Sequence, residues 1–345
     1  MTAPVDVESQ EKMDKPVSEG TAVEALQAAL EGDMARVNAL IRERMASEHA
    51  PRIPEVTAHL VEAGGKRLRP LLTLAAARLC GYAGDHHLRL AATVEFIHTA
   101  TLLHDDVVDE SARRRGRPTA NLLWDNKSSV LVGDYLFARA FQLMVETGEL
   151  RVLDILANAS AVIAEGEVLQ LTAASNLATG EATYLQVVRG KTAALFAAAT
   201  EVGGVIAGAS EAQVAALHTY GDALGISFQI VDDLLDYGGL SATLGKNVGD
   251  DFRERKMTLP VIRALAAADA EERSFWSRVI GKGDQRDGDL DEALGLMRCH
   301  RALESTHATA LEHAARARAA LQPLPDGTFK THLAALTDFV VARAA

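Results

Sequence analysis

Nine prolines are present, and none lies between Pro118 and Pro260. Proline breaks helix interiors, so a long run without it leaves extended helices available to the chain. The run is rich in Ala, Leu, Val and Glu, and Gly148, Gly180, Gly190 and the pair Gly203 and Gly204 mark points where helices can end. Strand-like alternation bounded by turn dipeptides is scarce. The expectation is an all-α protein of a dozen or so helices, forming one domain over residues 23–345. Residues 1–22 carry few large apolar side chains and read as a disordered tail.

Apolar spacing predicts one amphipathic helix from Ala22 to about Met45, a helix after Pro51 and Pro54 stopped by Gly64 and Gly65, and helices over Leu71–Leu79 and Leu88–Leu103. Lys127–Met144 reads as another, with Val130, Leu131, Leu136, Phe137, Phe141 and Met144 as core. Tyr184–Glu201 reads as a single helix with Lys191 and Thr192 on an otherwise apolar wall. A lysine and a hydroxyl there usually face something polar. Beyond Leu259 only helices with regular apolar faces are seen, and no chemistry is visible in them.

Chemistry concentrates at two acidic repeats. Asp105, Asp106 and Asp109 end an apolar helical run, and Asp232, Asp233 and Asp236 repeat the spacing after another. Residues four apart share a helix face, so Asp105 and Asp109 point together while Asp106 lies about 100° round. Like charges on one face repel and call for a cationic partner, and magnesium uses one or two carboxylates plus substrate phosphates. One such motif alone reads as a solvated helix end. Two copies on separate helices favour a shared metal site. Lys66, Arg67 and Arg69 in GGKRLRP form a basic helix junction suited to a diphosphate. His98 sits two turns before Asp105, as a phosphate donor or as a satisfied core histidine. The glycine-rich segment from Tyr237 to Met257 reads as a surface loop or as a lid that follows the second motif.

Composition limits the alternatives. A formal charge of −12 argues against nucleic acid as partner. Cys80 and Cys299 are too few for a disulfide framework and lack metal-ligand spacing, which fits a reducing, cytoplasmic setting. The acidic, polar N-terminus lacks the apolar core of a signal peptide, and no apolar run is long enough to span a bilayer.

Taken together, GGKRLRP, HTATLLHDDVVDESARRRG, GKTAALF, and FQIVDDLLDY followed by LGKNVGDDFRERKMTLP resemble the trans-prenyl diphosphate synthases. The resemblance is strongest to the bacterial long-chain octaprenyl or decaprenyl type, and it covers about residues 25–340. It implies an isoprenoid-synthase-type helical bundle around a deep hydrophobic cavity, with isopentenyl diphosphate and an allylic diphosphate (farnesyl or geranyl) as substrates. By this resemblance Asp105 and Asp109, supported by Asp106, hold Mg2+ from one wall, and Asp232, with Asp233 and Asp236, holds it from the other. Three ions per site are implied once substrate is bound. Lys66, Arg69, His98 and Arg115 match the residues that hold isopentenyl diphosphate. Arg114 matches the one on the allylic diphosphate, where Lys191, Thr192, Gln229 and Lys246 also act on the departing group and the developing cation. Lys256 matches a further lysine near the leaving group, and Glu165, Glu167 and Gln170 read as supporting or structural.

The implied reaction is ionisation of the allylic diphosphate, attack by the isopentenyl double bond and proton loss. Repetition needs a tunnel running along the first-motif helix toward its N-terminal end. Ala100 and Thr101, one turn from Asp105, are small where short-chain relatives carry aromatic residues, which predicts a long product with a floor near Phe141 or Met144. A terpene cyclase would not need Lys66 and Arg69, a non-catalytic partner subunit would lack one acidic motif, and a plain helical scaffold leaves both motifs unexplained. The resemblance further implies a homodimer, peripheral membrane contact at product release, and supply of quinone side chains, ubiquinone first with menaquinone open.

Overall fold

In the computed structural model the described residues are 21–62, 65–114, 116–238 and 249–344. The tail through residue 20, Arg115 and Lys246 lie outside them. Helices α1 (Thr21–Ala29), α2 (Glu31–Met45), α3 (Arg52–Glu62), α4 (Leu68–Leu79) and α5 (His86–Val108) open the chain. A two-stranded antiparallel ribbon follows, β1 (Arg113–Arg114) against β2 (Arg117–Pro118), and then the short α6 (Ala120–Leu123). Next come α7 (Asn126–Val145), α8 (Leu150–Ala173), α9 (Glu181–Val188), a wide π turn (Arg189–Ala193), α10 (Ala194–Ile206) and α11 (Glu211–Tyr237). The chain closes with α12 (Asp250–Arg253), α13 (Leu259–Ala267), α14 (Ala270–Trp276), α15 (Asp289–Cys299), α16 (Ala302–Ala320) and α17 (Thr328–Ala342). The all-α expectation holds, with the ribbon as its small exception.

Two helices organise the rest. On α5 nearly every face is buried, from His87 through Phe96, Ala100 and Leu103 to Asp106, as expected of a helix enclosed by others. It packs against α7, α4, α2 and α10. α11, about 40 Å long at 1.5 Å per residue, is opened by a capping box between Ser210 and Gln213 and packs on α16, α10 and α17. Its buried residues also run most of the way round, from Val214 to Tyr237. Each central helix therefore delivers the acids at its C-terminal end to a common region.

Three local expectations need correction. The helix predicted over Ala22–Met45 is broken at Leu30, which is buried at φ −116° and ψ 14° and caps α2. Tyr184–Glu201 is interrupted by the π turn at 189–193, so it is two helices joined by a wide turn. On α7, Val130, Leu131 and Phe141 are exposed (39, 66 and 42%) rather than core, whereas Leu136 and Met144 are buried.

Candidate functional site

Asp105, Asp106 and Asp109 occupy the last turn and C-cap of α5. Asp106 is fully buried and turned away from its neighbours: the Nε and a terminal NH2 of Arg114 both reach its Oδ1 at 2.9 Å. Its backbone carbonyl accepts from Asn121 at 3.2 Å, and its Oδ2 is buried without a hydrogen-bond partner among the described residues. The ribbon accounts for this contact, because pairing Arg114 with Arg117 folds the arginine run back toward the helix end.

Opposite Asp105 stands Lys191, whose Nζ lies 3.9 Å from Asp105 Oδ2 and 3.0 Å from Glu167 Oε2. Burial pushes the Asp105 carboxyl up to about 6, opposed by Lys191 and reinforced by Glu167 and Asp109. The close approach that permits this trio comes from two facing glycines. A Cβ on Gly190 in the π turn would stand 2.7 Å from the Cα of Gly166 on α8, so side chains are excluded there. A π turn inserts one residue into a helix and redirects the side chains that follow, a common device at functional sites. Here it turns Lys191 and Thr192 onto the same wall.

On α11 the second motif divides its work. Asp232 faces Arg343, the C-cap of α17, at 3.4 Å. Asp233 is buried and accepts from Tyr184 Oη at 2.7 Å and from Gln229 Nε2 at 2.8 Å, and burial and nearby Asp251 push its carboxyl up. Asp236 accepts from the backbone N–H groups of Asp250 (3.2 Å) and Asp251 (3.0 Å), tying α12 to the motif. Burial and Asp251 raise it to about 6 despite those two bonds. Asp251 is itself pushed up by burial, opposed by Lys256 at 3.3 Å. Thr192 donates to Gln229 Oε1 at 2.7 Å. A cavity of about 100 Å3 lies among Tyr184, Lys191, Thr192, Gln229, Asp233 and Asp251.

The cationic pole lies just before and on the first turn of α4 and on α5, with α17 packed beside it. Arg69 Nη1 is 3.2 Å from His98 Nε2, and Lys66 Nζ lies 4.6 Å from the centroid of the Phe339 ring. Arg67, in a left-handed conformation at φ 49°, pairs instead with Glu95. Two tilted rings join this pole to the acids. Arg69 lies 4.7 Å over Phe196, Phe196 is 5.5 Å from Phe228, and Arg343 lies 5.0 Å over Phe228 while also reaching Asp232.

Ala100 is fully buried one turn from Asp105, and Thr101 donates to the His98 carbonyl at 2.8 Å. Met144 is buried near the end of α7, whereas Phe141 points outward. Residues that sequence reading left without a role are Tyr184, Asp251 and Arg343, with Glu167 read only as supporting. Each is read from a contact distant in sequence. Only Asp251, in GDDFRERK beyond the second motif, carried a local signal.

Among the described residues no three acidic, histidine or cysteine side chains form a ready-made metal cage. The donor set is nevertheless all hard oxygen, paired acids at the ends of α5 and α11, and burial pushes the carboxyls of Asp105 and Asp236 up. Such pairs suit a magnesium ion that takes its remaining ligands from phosphate and water.

A polyprenyl synthetase family model matches residues 50–297. The octaprenyl diphosphate synthase of Escherichia coli is 45% identical over 311 residues, covering 90% of this chain and 96% of that protein. The all-trans-nonaprenyl-diphosphate synthase (geranyl-diphosphate specific) of Rhodobacter capsulatus is 44% identical over 312 residues, covering 90% and 95%. Among solved structures, a decaprenyl diphosphate synthase from Rhodobacter capsulatus superposes with a TM-score of 0.91 at 72% identity, covering 94% of this chain and 99% of that one. A Caulobacter crescentus polyprenyl synthase complexed with calcium and isoprenyl diphosphate gives 0.90 at 53% identity, covering 96% and 100%.

Proposed function

The chain belongs to the polyprenyl synthetase family and is a prenyltransferase of the long-chain type, and we propose that it extends an allylic diphosphate with isopentenyl units to decaprenyl diphosphate. The ten-unit length is favoured over eight by 72% identity to the decaprenyl enzyme against 45% to the octaprenyl one. The observation that carries the reading is the two-pole construction. Asp105 at the end of α5 faces Lys191, Asp233 of α11 lines the same cavity as Lys191, and the separate cations Lys66, Arg69 and His98 stand about two turns further back along α5.

In this reading Lys66, Arg69 and His98, with Arg115, hold isopentenyl diphosphate. Arg114, Lys191 and Lys246 hold the allylic diphosphate and stabilise negative charge as it departs, through groups already fixed in place. The wall formed by Thr192 and Gln229 meets the allylic cation. Mg2+, held through Asp105, Asp109, Asp232 and Asp236 with Asp106 and Asp233 behind them, supplies Lewis-acid neutralisation of the diphosphate oxygens. The neighbour complexed with calcium supports a divalent ion at the diphosphate. Small side chains at Ala100 and Thr101 leave the path along α5 open to a growing chain, with Met144 and Phe141 as the candidate floor.

The wider reading is a homodimer. On α7, Val130, Phe141, Val145 and Leu131 fall within a stripe about 100° wide at 100° per residue, and Val145 and Leu131 are among the most exposed apolar side chains (65 and 66%). A second copy of this chain covers such a face. No helix among the described residues is long and apolar enough to cross a membrane. A cytoplasmic enzyme that touches lipid when its apolar product leaves, and that feeds quinone side-chain synthesis, completes the reading. Residues 23–345 are taken as one catalytic domain with residues 1–22 as an appendage.

The test separates the poles. Losing a charge-assisted phosphate contact costs about 1.5–3 kcal/mol, roughly 10- to 150-fold. Arg69→Ala is expected to raise KM for isopentenyl diphosphate by that factor and KM for farnesyl diphosphate by no more than about threefold. An equal rise in both would remove the two-pole assignment.

A further inference from the structure

Three cations, Lys66, Arg67 and Arg69, crowd the turn that enters α4, and they do not share one task. Lys66 Nζ lies 4.6 Å from the centroid of the Phe339 ring, and Arg69 Nη1 lies 3.2 Å from His98 Nε2. Arg67 stands between them in sequence and turns its Nη1 onto Glu95 Oε1 of α5. We propose that Arg67 and Glu95 are positioning residues for isopentenyl diphosphate: their ion pair clamps the turn onto α5 and so sets where Lys66 and Arg69 present their charge. This rests on the reading above of that pole as the isopentenyl half of the site.

The clamp has two rungs. Glu95 and His98 lie three residues apart on α5 and share a face, and Arg67 and Arg69 reach them across 28 and 29 residues of chain. Both rungs therefore join the same two segments. Glu95 sits between buried Val94 and Phe96, where a carboxylate is costly unless it is paired, and the Arg67 fork supplies the partner. The two side chains are only 17 and 12% exposed, so the pair is not one that solvent screens away. The backbone points the same way. Arg67 is the N-cap of α4 at φ 49° and ψ 38°, a left-handed conformation that a residue other than glycine holds when its surroundings impose it. The grip of Glu95 on the side chain imposes it from α5. From α1, Gln27 Nε2 adds a second hold by donating to the Lys66 carbonyl at 3.2 Å. Releasing the first hold lets residue 67 change its backbone angles, which swings Lys66 relative to α4 and to Arg69. An arginine neutralised by a carboxylate adds little charge of its own to the pole, so Arg67 acts through its neighbours.

The experiment is a double-mutant cycle of Arg67→Met and Glu95→Gln in the full-length enzyme. It is read by kcat, by KM for isopentenyl diphosphate and for farnesyl diphosphate, and by thermal melts. Each single variant is expected to raise KM for isopentenyl diphosphate about 10-fold, with kcat and KM for farnesyl diphosphate within about twofold. The double variant should be no more than about twofold worse than either single, because all three lose the same clamp. Arg67→Lys keeps the charge without the fork and should fall between wild type and Arg67→Met. If a single variant strands a buried charge and does not fold, the double, which carries neither charge, decides: a wild-type KM for isopentenyl diphosphate in it would overturn the proposal. An unchanged or lower value in Glu95→Gln would also overturn it, by making Arg67 a direct phosphate ligand. So would an equal rise in both KM values with a lower Tm, the mark of a general brace. If Arg69→Ala fails to raise KM for isopentenyl diphosphate selectively, the pole assignment beneath the proposal falls, whereas a selective Arg69→Ala effect beside a wild-type Glu95→Gln overturns the clamp alone.

Discussion

Gly190→Ala isolates what the π turn contributes. The added Cβ would lie 2.7 Å from Gly166 Cα, 3.0 Å from the Val162 carbonyl oxygen and 3.2 Å from Gly166 N, where ordinary contact begins at 3.4 Å. All three are backbone atoms, so no rotamer change relieves the clash, and α8 and the turn must separate by about 1 Å. Overpacking of this kind costs about 1–3 kcal/mol, and the helix preference of Ala over Gly returns about 0.5–1. The net loss of about 1–2 kcal/mol corresponds to a fall of a few degrees in Tm for a chain of this size. Activity should suffer more than stability. The same movement stretches the 3.0 Å Lys191–Glu167 contact and shifts Thr192, and a misplacement of about 1 Å can cost about 100-fold in rate. The assay is steady-state elongation with farnesyl diphosphate beside a thermal melt. Gly166→Ala, whose Cβ would meet Gly190 Cα at 2.8 Å, should behave alike. Wild-type kcat in either variant would refute the claim that this contact fixes Lys191 and Thr192.

Other outcomes follow from single contacts. Arg343→Ala removes a guanidinium that competes for Asp232, so the Mg2+ concentration for half-maximal rate should fall severalfold, and an unchanged value would detach α17 from the site. Leu131→Asp places a charge on the outward apolar stripe of α7 and should convert a dimer to monomer in light scattering, whereas an unchanged mass would deny that face a partner. Burial pushes the Asp33 carboxyl up, but bonds from Arg78 (2.8 Å) and His87 (3.2 Å) outweigh it and hold the group below the usual range. A depressed folded pKa gives stability that is present above the unfolded value near 4 and lost as pH falls through the folded one. Asp33→Asn should therefore cost about 1–3 kcal/mol at pH 7, and the gap to wild type in melts should shrink below about pH 4.

The acidic motifs were legible because a motif is a local spacing, and helical geometry alone puts Asp105 beside Asp109. The absence of proline from 119 to 259 likewise announced long helices. What sequence could not give were features that depend on what lies across the fold. The break at Leu30 is hidden because apolar periodicity continues through it. The π turn is hidden because one inserted residue barely disturbs an Ala-rich pattern, and its purpose is visible only when Gly190 meets Gly166. Arg343 pairs with a residue 111 positions away, so its helix looked like packing alone. Phe141 and Leu131 fit a core pattern because periodicity identifies an apolar face without saying whether this chain or another covers it. Asp106 shares its motif with Asp105, yet the ribbon draws Arg114 onto it and gives it a different partner.

The central claim is that two diphosphate poles feed a tunnel that runs back along α5. The measurement that tests it most directly is the chain-length distribution made from radiolabelled isopentenyl diphosphate and farnesyl diphosphate with Mg2+, for wild type and for Ala100→Phe. The account predicts long all-trans products from wild type, centred on ten isoprene units, and products shortened by several units from the variant at comparable rates of isopentenyl incorporation. A variant that still makes full-length chains would contradict the tunnel's path past Ala100, and a wild type that stops after one or two additions would contradict the long-chain assignment itself.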